Sequence, residues 1–445
     1  MFNRTITDQL EIWAAKAERK PLVLRGARQV GKTSVVNLFA KKFDKYLYLN
    51  LDRPEDLALF SHDYPFQDLV DAIFFTKGIE KKGGKTLLFI DEIQNSSKAV
   101  NLLRYFYEDT PELFVIAAGS LLEALIDNQI SFPVGRVEYL AIHPCSFEEF
   151  LIATGENESL EILHQNLVPE YAHDKLTSLF RQYTIIGGMP EIVKNYAENR
   201  DLTILKSIYD GLLVSYLDDV KKYARNTSMV NVIRYIIGNA FHLAGERITF
   251  EGFGNSNFRS REMGEAFRIL EKTMIIQLVY PVVNHGLPME IKNRTPKLQL
   301  LDTGLVNYKA GIQGELLGSK RVEDAYRGKI AEHITGQELF SVENSVLAKL
   351  NYWIRDSRNS QAEVDFVISY KGLLIPIEVK SGLSGKLRSL HRYIDEAPHS
   401  WAVRVYSGKL SAERAITPAG KAYTLINIPL YLAGRLAKVL AEIIK

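Results

Sequence analysis

The first 150 residues alternate short apolar runs with longer amphipathic stretches. Four runs are rich in leucine, isoleucine, valine and aromatic residues: PLVLRG, KYLYLNL, TLLFIDE and FVIAAGS. Short apolar runs separated by helix-length segments are typical of buried parallel strands that alternate with helices. The pattern therefore predicts an α/β fold for this part of the chain, with a parallel sheet that carries helices on both faces.

The pattern changes after residue 150. Residues 151–225 have the spacing of helices, interrupted by a turn at Gly187–Glu191, and residues 226–310 predict helices followed by a short β-ribbon. Residues 311–445 predict a helix, three strands and a further helix. A chain of 445 residues is expected to form about three domains, because one hydrophobic core stops growing well below this length. We predict four segments, at 1–150, 151–225, 226–310 and 311–445.

The net charge and the cysteine content limit which binding partners and which kinds of site this chain can have. The 55 basic and 53 acidic residues give a net charge of +2, so nucleic acid would have to bind to a local patch. The single cysteine, Cys145, excludes an intramolecular disulfide and a cysteine-based zinc site, which favours a reducing compartment. The sequence shows neither a signal-peptide core nor an apolar run long enough to cross a bilayer. We expect a cytoplasmic protein with no membrane partner.

The sharpest chemical signal is the segment GARQVGKT at Gly26–Thr33. It fits G-x-x-x-x-G-K-[ST] at every fixed position and lies between a predicted strand and a predicted helix, as the motif requires. Its backbone N–H groups would converge on phosphate oxygens, with Lys32 at the β- and γ-phosphates and the Thr33 hydroxyl on Mg²⁺. The candidate nucleotide-binding residues here are Gly26, Ala27, Arg28, Gln29, Val30, Gly31, Lys32, Thr33 and Ser34.

A second motif, LLFIDE, is an apolar strand that ends in Asp91 and Glu92. A parallel strand brings its last residues to the sheet edge where the phosphates would lie. We expect Asp91 to support Mg²⁺ and Glu92 to polarise the attacking water as general base. Taken alone, a strand that ends in Asp-Glu is often only a solvated terminus. The phosphate loop upstream favours the catalytic interpretation.

Two further residues are candidates for sensing or stabilising the γ-phosphate. Ser120 follows the strand Phe114–Ala118 and could contact the γ-phosphate from between the two motifs; a serine that simply ends the strand is an equal alternative. Arg136 is the best candidate for a transition-state arginine that a neighbouring copy of the chain supplies. A surface arginine without a catalytic role is the alternative. The arginine interpretation predicts self-association.

Carboxylates and a lysine near the C-terminus carry the second chemical signal. Residues two apart on a strand share a face, so Glu363 and Asp365 point together, as do Glu378 and Lys380. The sequence separation of 13 between Asp365 and Glu378 is enough for a hairpin through Lys371–Gly372. Asp365 and Glu378 could then bind Mg²⁺ or Mn²⁺ while Lys380 activates water or stabilises phosphate charge. Glu332, on the preceding predicted helix, could be a further ligand. A plain ion pair in a domain kept for packing is the alternative.

Taken together, six segments resemble a bacterial and archaeal family of AAA-like ATPases: GARQVGKT, LLFIDEIQ, AAGS, GRVEYLAIHPCSFEEF, GGMPE and LDTGL. The resemblance implies a P-loop NTPase domain that binds and hydrolyses ATP with Lys32, Thr33, Asp91 and Glu92, and an arginine finger at Arg136. Residues 226–310 resemble a winged-helix module, with Arg268 and Lys272 on the helix that would meet DNA. The D…E-x-K pattern resembles the PD-(D/E)XK nuclease, a restriction-endonuclease-like α/β fold, although Val364 replaces the usual proline.

The leading hypothesis is an ATPase whose nucleotide cycle controls a DNA-directed, nuclease-like domain. Its expected cofactors are ATP with Mg²⁺, and Mg²⁺ or Mn²⁺ at the C-terminal carboxylates. Two alternatives stay open. In one, an ATP-dependent switch carries a catalytically inert module that binds nucleic acid or protein. In the other, a signalling ATPase makes no contact with DNA.

Overall fold

The computed structural model describes residues 2–119, 133, 135–165, 168–313, 324–356 and 362–444, of which residues 324–327 are described by their backbone alone. The chain forms two compact units. The N-terminal unit contains Met1–Pro144, Lys272–Met274 and Asn344–Leu347, and the C-terminal unit contains Cys145–Glu271, Ile275–Glu343 and Ala348–Lys445. Across the described ranges, no helix combines the length and the apolarity that crossing a membrane requires.

The N-terminal unit is built on a five-stranded sheet. Its strands are β1 (Leu22–Arg25), β2 (Lys45–Asn50), β3 (Thr86–Asp91), β4 (Phe114–Gly119) and β5 (Glu138–Ala141). They lie in the order β2-β3-β4-β1-β5, and each pair of neighbours is parallel. All six residues of β3 are buried, as a continuous apolar run predicts. The predicted α/β fold with a parallel sheet is confirmed.

Among the described residues of this unit, five helices accompany the sheet: α1 (Ile6–Ala14), α2 (Lys32–Phe39), α3 (Pro54–Ser61), α4 (Phe66–Thr76) and α5 (Ser97–Glu108). Apolar residues of α3, α4 and α5 pack with those of the strands in one core. Strand β4 separates β1 from β3, so the three carboxyl ends lie side by side at one sheet edge. This strand order brings the phosphate loop after β1 towards the two acids at the end of β3.

The C-terminal unit begins with helices. These are α6 (Phe147–Thr154), α7 (Asn157–His164), α8 (His173–Ile186), α9 (Pro190–Asn199), α10 (Leu205–Tyr223), α11 (Thr227–Ala240) and α12 (Ser260–Lys272). Later come α13 (Thr303–Lys309), α14 (Asp324–Ser341), α15 (Arg388–Glu396) and α16 (Leu436–Ile443). Helix α12 buries its apolar residues on one face, among them Phe267 and Leu270, as their spacing predicts.

Eight strands form one mixed sheet in this unit. They are β6 (Ile276–Val282), β7 (Lys297–Leu300), β8 (Asn351–Ile354), β9 (Glu363–Tyr370), β10 (Leu373–Val379), β11 (Trp401–Tyr406), β12 (Ser411–Ile416) and β13 (Ala422–Pro429). Their order is β12-β13-β11-β10-β9-β8-β6-β7. Helix α15 packs Leu390, Tyr393 and Ile394 into the core of this sheet.

Strands β9 and β10 form the predicted hairpin. Their two-residue loop, Lys371–Gly372, has positive φ at both positions, 45° and 79°, which suits the right-handed twist of the flanking strands. The antiparallel register pairs Phe366 with Ile377. Continuing this register by one residue places Asp365 opposite Glu378, so both belong to the same face.

The β-ribbon predicted within residues 226–310 does not stand apart from the strands that follow it. Strand β6 pairs with β7 in antiparallel fashion and with β8 in parallel fashion, so the ribbon belongs to the sheet of β8 to β13. Backbone ladders thus run across residue 310. The four-segment division stays a prediction, while the compact units number two.

Candidate nucleotide site and carboxylate cluster

The loop Gly26–Thr33 connects β1 to α2, which begins at Lys32. Gly31 has a φ of 92°, a left-handed conformation that favours glycine. Gly26 is required for a different reason, because a Cβ atom there would lie 2.4 Å from the backbone oxygen of Ile142. The loop therefore packs directly against the chain that follows β5. Ala27 and Val30 are buried, Arg28 is half-buried, and Gln29 and Ser34 are exposed.

Lys32 folds back over its own loop. Its buried Nζ donates to the backbone oxygens of Gly26 and Ala27, each at 2.9 Å. Burial lowers the pKa of Lys32 to about 8, although the nearby carboxylates of Glu92 and Asp91 favour the charged form. Both hydrogen-bond acceptors are neutral, so anionic phosphate oxygens would be stronger partners for this ammonium group.

The two predicted Mg²⁺ ligands of this site are in contact. The Thr33 hydroxyl donates to Oδ2 of Asp91 at 2.7 Å, and the Tyr48 hydroxyl donates to the same oxygen at 3.3 Å. The other carboxylate oxygen of Asp91 accepts from the backbone N–H of Glu92 at 3.1 Å. A hydroxyl and a carboxylate at the carboxyl edge of the sheet are the oxygen donors that Mg²⁺ takes together with nucleotide phosphates, so these residues fit the ion.

Glu92 lies just beyond the strand and has a positive φ of 51°. Its carboxylate accepts a hydrogen bond from the Gln94 side chain. Burial raises the pKa of Glu92, and the hydrogen bond from Gln94 opposes that rise. A carboxyl group with a raised pKa, next to the predicted Mg²⁺ ligand Asp91, suits a general base near neutral pH.

Arg4 is a residue of this site that sequence analysis missed. Its buried guanidinium donates to the backbone oxygens of Val30, at 3.1 Å, and His143, at 2.8 Å. It thereby joins the phosphate loop to the segment after β5. A lone arginine 22 residues before the motif carries no sequence signal of this role. Tyr48 and Gln94 were missed for the same reason.

Ser120 and Arg136 differ in how far the structure describes them. Ser120 lies outside the described residues, directly after the end of β4, the strand between β1 and β3. The Nε atom of Arg136 is 2.7 Å from a carboxylate oxygen of Glu108, which also pairs with Arg104 at 2.9 Å. All three side chains are at the surface, and Arg136 is thus paired within its own chain. The proposed roles of Ser120 and Arg136 stay predictions.

In the C-terminal unit, three carboxylates converge. Glu332 on α14 and Glu363 and Asp365 on β9 each offer an oxygen within 4.8 Å of the others. We call these residues, with Glu378, the carboxylate cluster. The second oxygen of Asp365 accepts from the backbone N–H of Val379 at 2.7 Å, which ties β9 to β10 beside Glu378.

Glu378 and Lys380 are paired with each other. The Lys380 Nζ donates to Oε1 of Glu378 at 2.6 Å, while Oε2 is buried without a hydrogen-bond partner among the described residues. Burial, and secondly the charge of Asp365, raise the pKa of Glu378 to about 8. Burial likewise raises the pKa of Glu332 to about 7. Such a concentration of buried carboxyl groups is stabilised by cations, and carboxylate oxygens are ligands that Mg²⁺ and Mn²⁺ accept.

Two cations from an earlier part of the chain also reach the carboxylate cluster. The Lys297 Nζ is 2.6 Å from Glu363 and 3.6 Å from Asp365, and it is hydrogen-bonded to Glu332. Arg247 forms an ion pair with Glu363. Sequence analysis missed both, because neither belongs to a motif and 35 residues separate Lys297 from its nearest carboxylate partner along the chain.

Three family models match separate parts of the chain. Residues 18–151 match the AAA domain, residues 177–316 match a domain of unknown function (DUF8612), and residues 327–430 match a second domain of unknown function (DUF4143). No relative among curated proteins matches the sequence. The phosphate loop and the acids after β3 both lie within the first match. Residues 18–151 are therefore similar to an AAA domain, which suggests nucleotide binding and hydrolysis in this part of the chain.

The solved structures that match this chain share little sequence with it. The Walker-type ATPase of Pyrococcus abyssi is 16% identical, with 70% of this chain and 96% of that chain covered and a TM-score of 0.45. The RuvB Holliday junction branch migration motor of Thermotoga maritima is 14% identical, with 62% and 90% covered and a TM-score of 0.29. The Aeropyrum pernix ORC1 protein in complex with DNA is 13% identical, with 70% and 91% covered and a TM-score of 0.28.

The position of Lys32 predicts a loss of nucleotide affinity in Lys32→Ala. The substitution removes the ammonium group that would meet the phosphates, and a hydrogen bond to a charged group contributes about 1.5–3 kcal/mol. We expect fluorescent ATP in Mg²⁺ to bind about tenfold to a hundredfold more weakly. Lys41→Ala, at an exposed position just after α2, is the matched control and should bind as the wild type does. Unchanged affinity in Lys32→Ala would contradict the site.

Proposed function

We propose that this chain is a Mg²⁺-dependent ATPase whose nucleotide cycle controls a nuclease-like, DNA-directed C-terminal region. One observation carries the proposal: a single chain holds a phosphate loop with its acidic partners and, separately, a cluster of three half-buried carboxylates and the buried Glu378 beside a lysine. The ATPase domain supplies the nucleotide chemistry. The carboxylate cluster supplies groups suited to phosphodiester hydrolysis.

In the ATPase domain, each residue of the site has a role that follows from its position. Thr33 and Asp91 would hold Mg²⁺, which when bound neutralises charge on the β- and γ-phosphates. Lys32 would exchange its two carbonyl partners for phosphate oxygens. Glu92, with its raised pKa, would accept a proton from the attacking water. Gln94 donates to the Glu92 carboxylate and so orients it.

The assignment of Glu92 predicts that Glu92→Gln separates binding from turnover. Glutamine keeps the shape of the side chain but cannot take the proton, so ATP hydrolysis should fall about a hundredfold or more while ATP still binds. Single-turnover hydrolysis and retention of radiolabelled ATP measure the two effects. Glu80→Gln, at an exposed position of the same unit, is the control. Unchanged turnover in Glu92→Gln would move the base to another residue.

We also propose that Arg136 acts on the nucleotide of a neighbouring copy of the chain. Its ion pair with Glu108 is exposed, and exposed pairs contribute little, so it can open at low cost. Specific ATPase activity should then rise with protein concentration in the wild type, and Arg136→Ala should remove that rise. Arg104→Ala, which loses the neighbouring pair with Glu108, is the control. Full wild-type activity at high dilution would show that one copy is sufficient.

In the C-terminal region, we propose that Asp365, Glu378 and Glu332 hold Mg²⁺ or Mn²⁺, and that Lys380 stabilises charge on the scissile phosphate. The geometry supports this assignment, because the hairpin register and the contact of Asp365 with Val379 put Asp365 and Glu378 on one face. The proposed roles follow the PD-(D/E)XK pattern that the sequence resembles.

For the segment 226–310, we propose a winged-helix role in DNA contact. Arg259 and Arg261, at the start of α12, and Arg268 within it are exposed, as phosphate contacts require. Binding to duplex DNA that weakens steeply with salt would support this role, since phosphate contacts release counterions. A module that only packs within its unit would leave DNA affinity unaffected by Arg268→Ala.

One observation favours the alternative of an inert C-terminal module. The cluster carboxylates already have cationic partners, since Lys380 pairs with Glu378 and Lys297 pairs with Glu332 and Glu363. An ATP-dependent switch, or a signalling ATPase without DNA contact, would need the fold of the C-terminal region but no metal-dependent cleavage at the carboxylate cluster. The next experiment separates these functions from cleavage.

The nuclease assignment predicts Mn²⁺-dependent nicking of supercoiled plasmid by the wild type and at least a hundredfold less by Asp365→Asn. Asparagine keeps the size of the side chain and removes the charge that would hold the ion. Asp356→Asn is the matched control, because Asp356 is an exposed acid just after β8 that pairs with Arg294. Equal nicking by Asp365→Asn would point to a contaminant, and no nicking by any variant would favour the inert module.

A further inference from the structure

Lys297 is one of the most deeply buried lysines that the structure describes, with 4% of its surface exposed. It lies on β7, and its ammonium group is 5.1 Å from the centre of the Tyr352 ring. A buried ammonium group is stable only where anions or dipoles replace its hydration. The groups that contact Lys297 therefore indicate the role of this side chain.

Those partners are three of the four carboxylates of the cluster, and they include Glu332 and Asp365, two of the proposed metal ligands. Lys297 contacts Glu332, Glu363 and Asp365, which are also the three residues whose oxygens converge within 4.8 Å. Burial lowers the pKa of Lys297, but the charges of Glu332 and Asp365 outweigh burial and raise it overall. The ammonium group thus occupies the convergence point of the cluster as a fixed monovalent cation.

The net charge of the cluster indicates whether a divalent cation would bind beside the Lys297 ammonium group or replace it. When all four carboxylates (Glu332, Glu363, Asp365 and Glu378) are ionised, as metal ligands would be, they face three cations (Lys297, Arg247 and Lys380), which leaves one net negative charge. A divalent cation added beside Lys297 would make the buried cluster positive. A divalent cation in place of the Lys297 ammonium would make it neutral. Coulomb repulsion at these short distances favours exchange.

We infer that Lys297 is an internal counter-ion that competes with a divalent cation for the carboxylate cluster, so that metal binds only when the ammonium group withdraws. This inference rests on the metal site in the proposed function and names its regulation. The competitor comes from the ribbon β6–β7, within the segment 177–316, whereas all four carboxylates lie within 327–430. Strand β7 pairs with β6 alone among the named strands, and Leu298 on its other edge exchanges backbone hydrogen bonds with Gly245 and Glu246, so displacing β7 would break both sets of bonds.

The test is Mn²⁺ binding to the nucleotide-free full chain, measured by electron paramagnetic resonance for wild type and Lys297→Met. Methionine keeps the length of the side chain without its charge. We expect Lys297→Met to bind Mn²⁺ about tenfold or more tightly than the wild type. Lys329→Met is the matched control, because Lys329 lies on the same helix as Glu332 but pairs with Glu246 at the surface. It should bind as the wild type does.

Two further variants keep the test decisive. Lys297→Met with Glu363→Gln removes one charge of each sign, so it reports on metal affinity if the single variant does not fold. Adding Asp365→Asn to Lys297→Met should abolish the gain and thereby locate the ion in the cluster. Equal Mn²⁺ affinity in wild type and Lys297→Met would overturn this inference while the proposed metal site stands. No Mn²⁺ binding by any folded variant would overturn both.

Discussion

A buried charge has to be matched by a partner inside the protein, and both candidate sites of this chain are arranged around that requirement. Lys32 and Lys297 are two buried ammonium groups, one in each compact unit. Each is held at the centre of its site by short contacts to oxygen atoms. The charge on those oxygen atoms determines whether each site can accept an anion or a cation.

The partners of Lys32 are two neutral backbone carbonyls, so the charge of this lysine is solvated but not neutralised. An incoming phosphate therefore gains an ion pair and loses little. The partners of Lys297 are carboxylates, so its charge is already neutralised, and an incoming metal ion has to displace it. On the proposed assignments, one site is prepared for an anion, and the other is closed to a divalent cation until the Lys297 ammonium group withdraws. This contrast gives the proposed nucleotide cycle a physical event to control.

The parts of this account that the sequence could predict are those fixed by local spacing. The phosphate loop lies between β1 and α2, the two acids end β3, and the Lys371–Gly372 turn sets β9 against β10, because a motif, an apolar run and a two-residue turn each specify their own geometry. Arg4, Arg247 and Lys297 could not be predicted in this way. Each acts on residues far along the chain, so only the tertiary fold brings them to the site.

The same reasoning explains the predicted segment boundary at residue 310. Composition and periodicity change there, but the pairing of β6 with β8 depends on which strand edges meet, which no local pattern specifies. The ribbon that composition assigns to one segment completes the sheet of the next and supplies the cation in its carboxylate cluster. The proposed counter-ion Lys297 and three of the four cluster carboxylates thus share one sheet.

The most direct test of nucleotide control is hydrogen–deuterium exchange at the backbone amides of β7 in the full chain. Peptides that cover Lys297–Leu300 should be compared between nucleotide-free Glu92→Gln and the same variant saturated with ATP and Mg²⁺. The account predicts a change in exchange at β7 when ATP is trapped, and no such change in Lys32→Ala. Identical exchange at β7 in the nucleotide-free and ATP-bound forms would contradict it.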